Sequence, residues 1–476
     1  MITGALLLLS VPLLVAGIVY LILRWMPDVA ALLAAGTALV LGIAVVTLPL
    51  DQPVSLWGAG EIAMGEEVTL LGRELVLEPG EDVAVAILYL TASALFLLGW
   101  RFSRRSLLFP VGLVLLSLLS GALLIRPFVY GALLLGIGAG LAVFMLQAEG
   151  GSPSQGAVRY LTCTILALPG LLVTHWLLER YAMTPDETGL VNAASVLLSV
   201  SFALLLGIVP FHGWVRSVGS DSMTLAAAFV LSVSNGAIWF LLLDFLRSYP
   251  WLSAQPAFNA VLLVAGGALV VIGGLLAPVQ SRLGQLMAYA AMVDSGAALI
   301  ALQLDGTAGL AIALLSLLAR PFGLALMAAG ASSLRSHSGS NGEMEDLIGL
   351  AWRSPWSAAA LVLGGVSLAG IPLGAGFVAR WALCESLSRA NLGIAVLVVA
   401  AGLGVMWGVW RALAVMLRRP ASSDGATVPP VEAGETRLSA ALLGAMIAVT
   451  VTVGAFPSLL SSVATALAET YATLLP

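Results

Sequence analysis

Ionisable side chains inside long apolar runs of this sequence include Asp294, Arg320, Arg380, Glu385, Arg411 and His175. Charges inside a bilayer are expensive, so such residues are candidates for an ion or proton path, or for pairs that tie helices together. Arg380 and Glu385 stand about one helical turn apart, at i, i+5, and are expected to pair. Asp294 and Arg320 occupy successive apolar runs and are expected to meet across two helices. Moving a proton through the membrane needs groups that both gain and lose one. Lysine does so when buried, but arginine stays protonated at any accessible pH, and all twenty cationic residues here are arginine. His212, in a Pro-Phe-His run at a membrane edge, reads as a hydrogen-bonded structural residue rather than a shuttle. His175 sits near the end of its run, and His337 lies in a polar loop. Cys163 and Cys384, far apart in different apolar runs, read as small buried residues. No zinc spacing, nucleophile elbow or cofactor-binding motif is found, and a net charge of −5 gives no support to nucleic-acid binding.

The elements that carry these residues are membrane helices. Apolar residues make up 60% of the chain and charged residues only 9%, against roughly a quarter charged in soluble domains. Runs of about twenty apolar residues cross a bilayer. They fall near 4–23, 29–49, 82–100, 106–124, 127–147, 158–178, 189–209, 223–246, 258–278, 284–303, 307–333, 356–388, 392–417 and 438–474. The expectation is an all-α membrane protein of about fourteen spans. Pro372 interrupts the twelfth run, and Pro457 is placed to break or bend the last. The first run lacks a basic leader and a cleavage site, so it reads as a retained helix. The chain is expected to form one membrane domain over 1–476. It opens with two helices over 4–49 and an acidic outer hairpin over 51–81, turning at Leu71-Gly72-Arg73. A first half over 106–246 and a second over 258–417 follow. A Pro/Ser/Gly-rich linker over 419–437 and a C-terminal helical region over 438–474 complete it. Numbering the loops alternately puts twelve arginines on one side and five on the other. Positive residues favour the cytoplasm, which places 101–105, 335–353 and the linker inside, and both termini and the hairpin outside.

Two runs are interrupted in corresponding places: Leu206–Trp214 contains Gly207 and Pro210, and Ser367–Phe377 contains Gly370 and Pro372. Such breaks persist only where the segment is buried in protein or lines a cavity, and a matched pair points to a transporter's pathway. Residues 208–242 (IVPFHGWVRSVGSDSMTLAAAFVLSVSNGAIWFLL), 282–302 and, most closely, 345–381 resemble the antiporter-like subunits of respiratory complex I, Mrp cation/proton antiporters and membrane-bound hydrogenases. Asp82 sits where that family has an aspartate opening its third helix. The resemblance covers about 80–415, in order.

It implies two inverted five-helix repeats, the fourth to eighth and ninth to thirteenth spans, each half of a proton channel lined by lysines and a glutamate. This sequence departs from that pattern. No carboxylate occurs in 126–146, where the glutamate is expected. The lysine positions correspond to Leu205, Ser234 or Asn235, Gly284-Gln285 and Phe322, and only the twelfth-helix position keeps a charge, as Arg380. The expected function is an antiporter-like subunit of a proton- or cation-translocating complex of the NADH:quinone oxidoreductase type. Its partners would be other membrane subunits and a redox or other driving module, embedded in lipid of a bacterial inner membrane. It would carry no redox site or cofactor of its own. The alternatives are a non-pumping docking subunit of such a complex, and a membrane subunit of an Mrp-type antiporter or inorganic-carbon uptake complex.

Overall fold

In the computed structural model the described residues are 2–55, 61–70, 72–103, 106–147, 154–184, 188–249, 256–304, 306–338, 343–419 and 435–473. Nearly all are helical. The helices are α1 (Gly4–Leu23), α2 (Pro27–Thr47), α3 (Glu81–Phe102), α4 (Leu108–Leu124), α5 (Gly131–Leu146), α6 (Gln155–Met183), α7 (Thr188–Leu206), α8 (Gly213–Asp221) and α9 (Thr224–Phe229). A π-helical turn, Val230–Ser234, joins α9 to α10 (Asn235–Ser248). Then come α11 (Pro256–Leu276), α12 (Leu283–Leu302), α13 (Gly306–Ser338), α14 (Pro355–Ala369), α15 (Phe377–Ala390), α16 (Leu392–Leu417), α17 (Arg437–Ala455) and α18 (Ser458–Thr473). Among the described residues, eleven helices are long and apolar enough to cross a membrane, and α4, α5 and α14 are shorter apolar helices.

Burial sorts them. In the α9–α10 segment and in α12, 94% of the most apolar window is inside the protein, against 28% in α1 and 22% in α17. A helix apolar on every side is solvated by lipid or by other helices. Here α9–α10 and α12 form the centre, and α1 and α17 turn most of their side chains outward, away from the rest of the chain. Between α8 and α12 the backbones touch. A Cβ on Gly284 would lie 1.9 Å from the Gly219 carbonyl oxygen, and one on Gly219 would lie 2.3 Å from that of Gly284.

Two small sheets lie at one end of the bundle. Strand β1 (Ile2–Thr3) pairs parallel with β3 (Glu61–Ala63), which also pairs antiparallel with β2 (Val54–Ser55). Strands β4 (Val68–Leu70) and β5 (Arg73–Leu75) form a hairpin, with Val68 opposite Leu75, and β5 pairs with β6 (Ile125–Arg126). Leu71, expected at the turn, lies outside the described residues, as do Arg104, Arg105 and the linker residues 420–434.

The twelfth run, read as one long span with an interruption, is two helices, α14 and α15, because Gly370 stops the first. Gly370 sits in the left-handed region at φ 72°. Its N–H bonds the Ser367 carbonyl and that of Ile371 the Val366 carbonyl, both at 3.1 Å. This is the glycine-terminated Schellman ending. Gly207, at φ 66°, ends α7 the same way, with the Ile208 N–H on the Ala203 carbonyl at 2.8 Å. The fourteenth run is likewise two helices, separated around Pro457.

Candidate functional site

Each glycine-terminated ending leaves carbonyls without helical partners, and a side chain further along takes one of them. The Trp214 indole N–H donates to the Leu204 carbonyl at 3.0 Å. The Arg380 guanidinium donates to the Leu368 carbonyl at 3.3 Å. A Cβ on Gly370 would come within 2.6 Å of the Arg380 side chain, so the glycine both ends α14 and makes room for the arginine.

Arg380 thereby reaches the middle of the second half. Asp294 of α12 accepts from Arg320 Nε at 2.7 Å and from the Ser316 hydroxyl at 2.9 Å, and Arg380 Nη2 stands 3.6 Å from it. Arg320 also donates to the Asn235 side-chain oxygen at 3.0 Å, and its guanidinium lies 5.8 Å from the Trp239 ring centroid. Asn235 is the first residue after the π-helical turn, a feature that re-aims side chains and recurs at functional sites. Arg320, Arg380 and Asp294 are 3%, 7% and 5% exposed. Two fixed positive charges thus share one carboxylate, leaving a net positive centre. Among the described residues, Arg320 Nη2 and Arg380 Nη1 have no hydrogen-bond partner. A cavity beside Arg380 and Ser316, walled by Ala297, Ile312, Ala379 and Leu383, has room for about one water.

The expected Asp294–Arg320 contact is present; the Arg380–Glu385 pair is not. Five residues along a helix turn the side chain about 140° round the axis, so Glu385 leaves the core on the other side. Its carboxylate is exposed and pairs with Arg389 at 2.8 Å, and it is not a buried charge. Arg411 holds the Gln280 carbonyl and contacts Met344 Sδ at 3.4 Å. It ties α16 to the loop before α12, away from Asp294. His175 contacts Glu179 one turn along α6 at 3.1 Å. His212 is the residue before α8, and its imidazole lies against the Pro210 backbone.

A second buried cluster, at the sheet end of the bundle, is absent from the sequence-level set of buried charges. Arg126 pairs with Glu81 and, at 3.4 Å, with Glu78; Arg247 also pairs with Glu78. Burial pushes the Glu78 carboxyl up, but the two guanidiniums outweigh it and hold Glu78 below its usual range. Asp244 and Tyr471 complete the group, each 3% exposed. A signal for Asp244 existed, since it falls within the apolar run 223–246. Nothing in the sequence places Glu81, Arg126 and Tyr471 beside it.

Residues 160–404, which hold every member of the central cluster, match the family model described as NADH:quinone oxidoreductase/Mrp antiporter, TM. The chain belongs to this family. Among curated proteins it is similar to NADH-quinone oxidoreductase subunit N of Methylococcus capsulatus, with 29% identity over 66% of this chain and 69% of that one. It is also similar to subunit N of Rhodococcus opacus, with 26% identity over 63% and 54%. The chain spans about half to two thirds of the length of the curated relatives it matches. In structure it resembles a chain of the Mrp complex from a Dietzia species, with TM-score 0.75, 21% identity and 99% of each chain covered. A chain of respiratory complex I from Thermus thermophilus gives TM-score 0.75 and 19% identity, covering 99% of this chain and all of that one. These likenesses show a shared antiporter-like fold. The family places the protein in a membrane, as its helices do.

Proposed function

We propose that this antiporter-family chain is a membrane subunit of a multi-subunit, proton- or cation-translocating complex of the NADH:quinone oxidoreductase type, and that it docks and stiffens that complex without running a lysine relay of its own. The observation that carries this reading is the central cluster. A relay needs groups that gain and lose protons, whereas Arg320 and Arg380 are fixed charges and Asp294 is held by both of them and by Ser316. The same reading takes the Gly207 and Gly370 endings as equivalent breaks in two inverted repeats, the fourth to eighth and ninth to thirteenth spans. The loss of lysine from the relay positions supports it, as does the absence of a carboxylate from 126–146. The arginine bias supports a single membrane domain with both termini outside the cell.

The test is the ratio of protons moved to electrons transferred in the intact complex, extracted gently and reconstituted. Arg380→Ala is expected to reduce the yield of assembled complex while leaving the ratio of the assembled fraction unchanged. Glu385→Gln is expected to change neither. Normal assembly of Arg380→Ala with a clear drop in the ratio would show that the relay runs through this subunit. Ion transport by the purified chain alone in liposomes would refute the dependence on partners.

A further inference from the structure

The cluster at the sheet end of the bundle has one carboxyl group more than its cations balance. Glu78 and Glu81 are both paired by Arg126, Glu78 again by Arg247, and Glu81 also accepts from the Glu78 N–H at 3.1 Å. Asp244, on α10, is buried at the same end of the bundle, near enough to these four side chains to feel their charges and beside Tyr471 of α18. Among the described residues, neither of its carboxyl oxygens makes a well-formed hydrogen bond, and the one hydroxyl beside them is that of Tyr471. The Arg247 guanidinium stands 5.8 Å from the Tyr471 ring centroid. Two arginines, which remain charged, neutralise two of three carboxylates. A third negative charge, buried with no cation left to pair it, carries a large desolvation cost.

We propose that Asp244 is a proton-binding site that holds one exchangeable proton beside the Tyr471 hydroxyl at the sheet end of the bundle. On release, the Asp244 O–H bond breaks, its electron pair stays on the carboxylate, and the proton passes to water at the sheet end of the bundle. On loading, the steps reverse. No electron moves and no other bond changes. Asp244 follows Asn235 by nine residues on one helix, about 13.5 Å. The site stands whether or not the central cluster conducts, because proton binding is read at equilibrium without turnover.

Infrared difference spectra of the lipid-reconstituted protein between acid and alkaline pH test it. The wild type is expected to show a protonated-carboxyl C=O band that shifts in heavy water. Asp244→Asn, which keeps the size of the neutral acid, is expected to fold and to lose that band. Tyr471→Phe is expected to keep the band and shift its frequency, because the neighbouring hydroxyl is gone. A difference spectrum of Asp244→Asn superimposable on wild type overturns the proposal, as does the absence of any such band from the wild type. Should Asp244→Asn fail to fold, an unshifted band in Tyr471→Phe overturns it.

Discussion

Asp294→Ala is expected to destabilise the protein by about 3–5 kcal/mol, the range for breaking a buried ion pair by removing one partner. Asp294 is the one carboxylate, among the described residues, in contact with either central guanidinium. Without it, Arg320 and Arg380 become two like charges in a water-poor centre. Neither can shed its charge by losing a proton. Among the described residues, each already has one guanidinium nitrogen without a hydrogen-bond partner, so no described group nearby takes over. Arg380→Ala is expected to cost less, because Asp294 keeps Arg320 at 2.7 Å and Ser316 at 2.9 Å. Glu385→Gln removes only an exposed pair with Arg389, of a kind worth about 0–1 kcal/mol. Thermal unfolding in detergent measures the order. Asp294→Ala as stable as Arg380→Ala would mean that the carboxylate does not hold the cluster together.

Gly284→Val is expected to do damage of similar size by a different route. The backbones of α8 and α12 are in contact there, and an added Cβ would overlap the Gly219 carbonyl oxygen at 1.9 Å. The obstacle is backbone, not the flexible end of a side chain, so one helix has to move. Overpacking a close-packed interior typically costs about 1–3 kcal/mol, and a clash between main chains belongs at or above the upper end. The shift would also drag α12, and with it Asp294, out of register with Arg320. Gly140→Ala is the control. Its Cβ meets nothing within 4 Å, and alanine in a helix interior is favoured over glycine by roughly 1 kcal/mol. Melting temperatures are expected to fall sharply for Gly284→Val and to hold or rise for Gly140→Ala. Equal melting temperatures for Gly284→Val and wild type would show that α8 and α12 do not pack this closely.

Much of this molecule is legible in its sequence because the membrane imposes a strong local rule. A chain with 9% charged residues and repeated apolar runs must satisfy its backbone within helices, and the runs sit close to the helices found. The glycines at 207 and 370 also announce themselves, since a left-handed residue ending a helix is a local requirement. The Asp294–Arg320 contact follows from similar logic: two opposite charges on successive membrane helices have few other partners. Where charges lie on one helix, rotation about the axis decides, and counting one turn is not enough. Arg380 faces the core and Asp294; Glu385, about 140° further round, faces away and takes Arg389. Tertiary structure alone assembles the Asp244 cluster, because its members come from residues 78–81, 126, 244–247 and 471, separated by whole helices. No spacing rule links such positions. Their proximity is fixed only when α3, α4, α10 and α18 end at the same level of the bundle, and burial then makes each unpaired carboxyl costly.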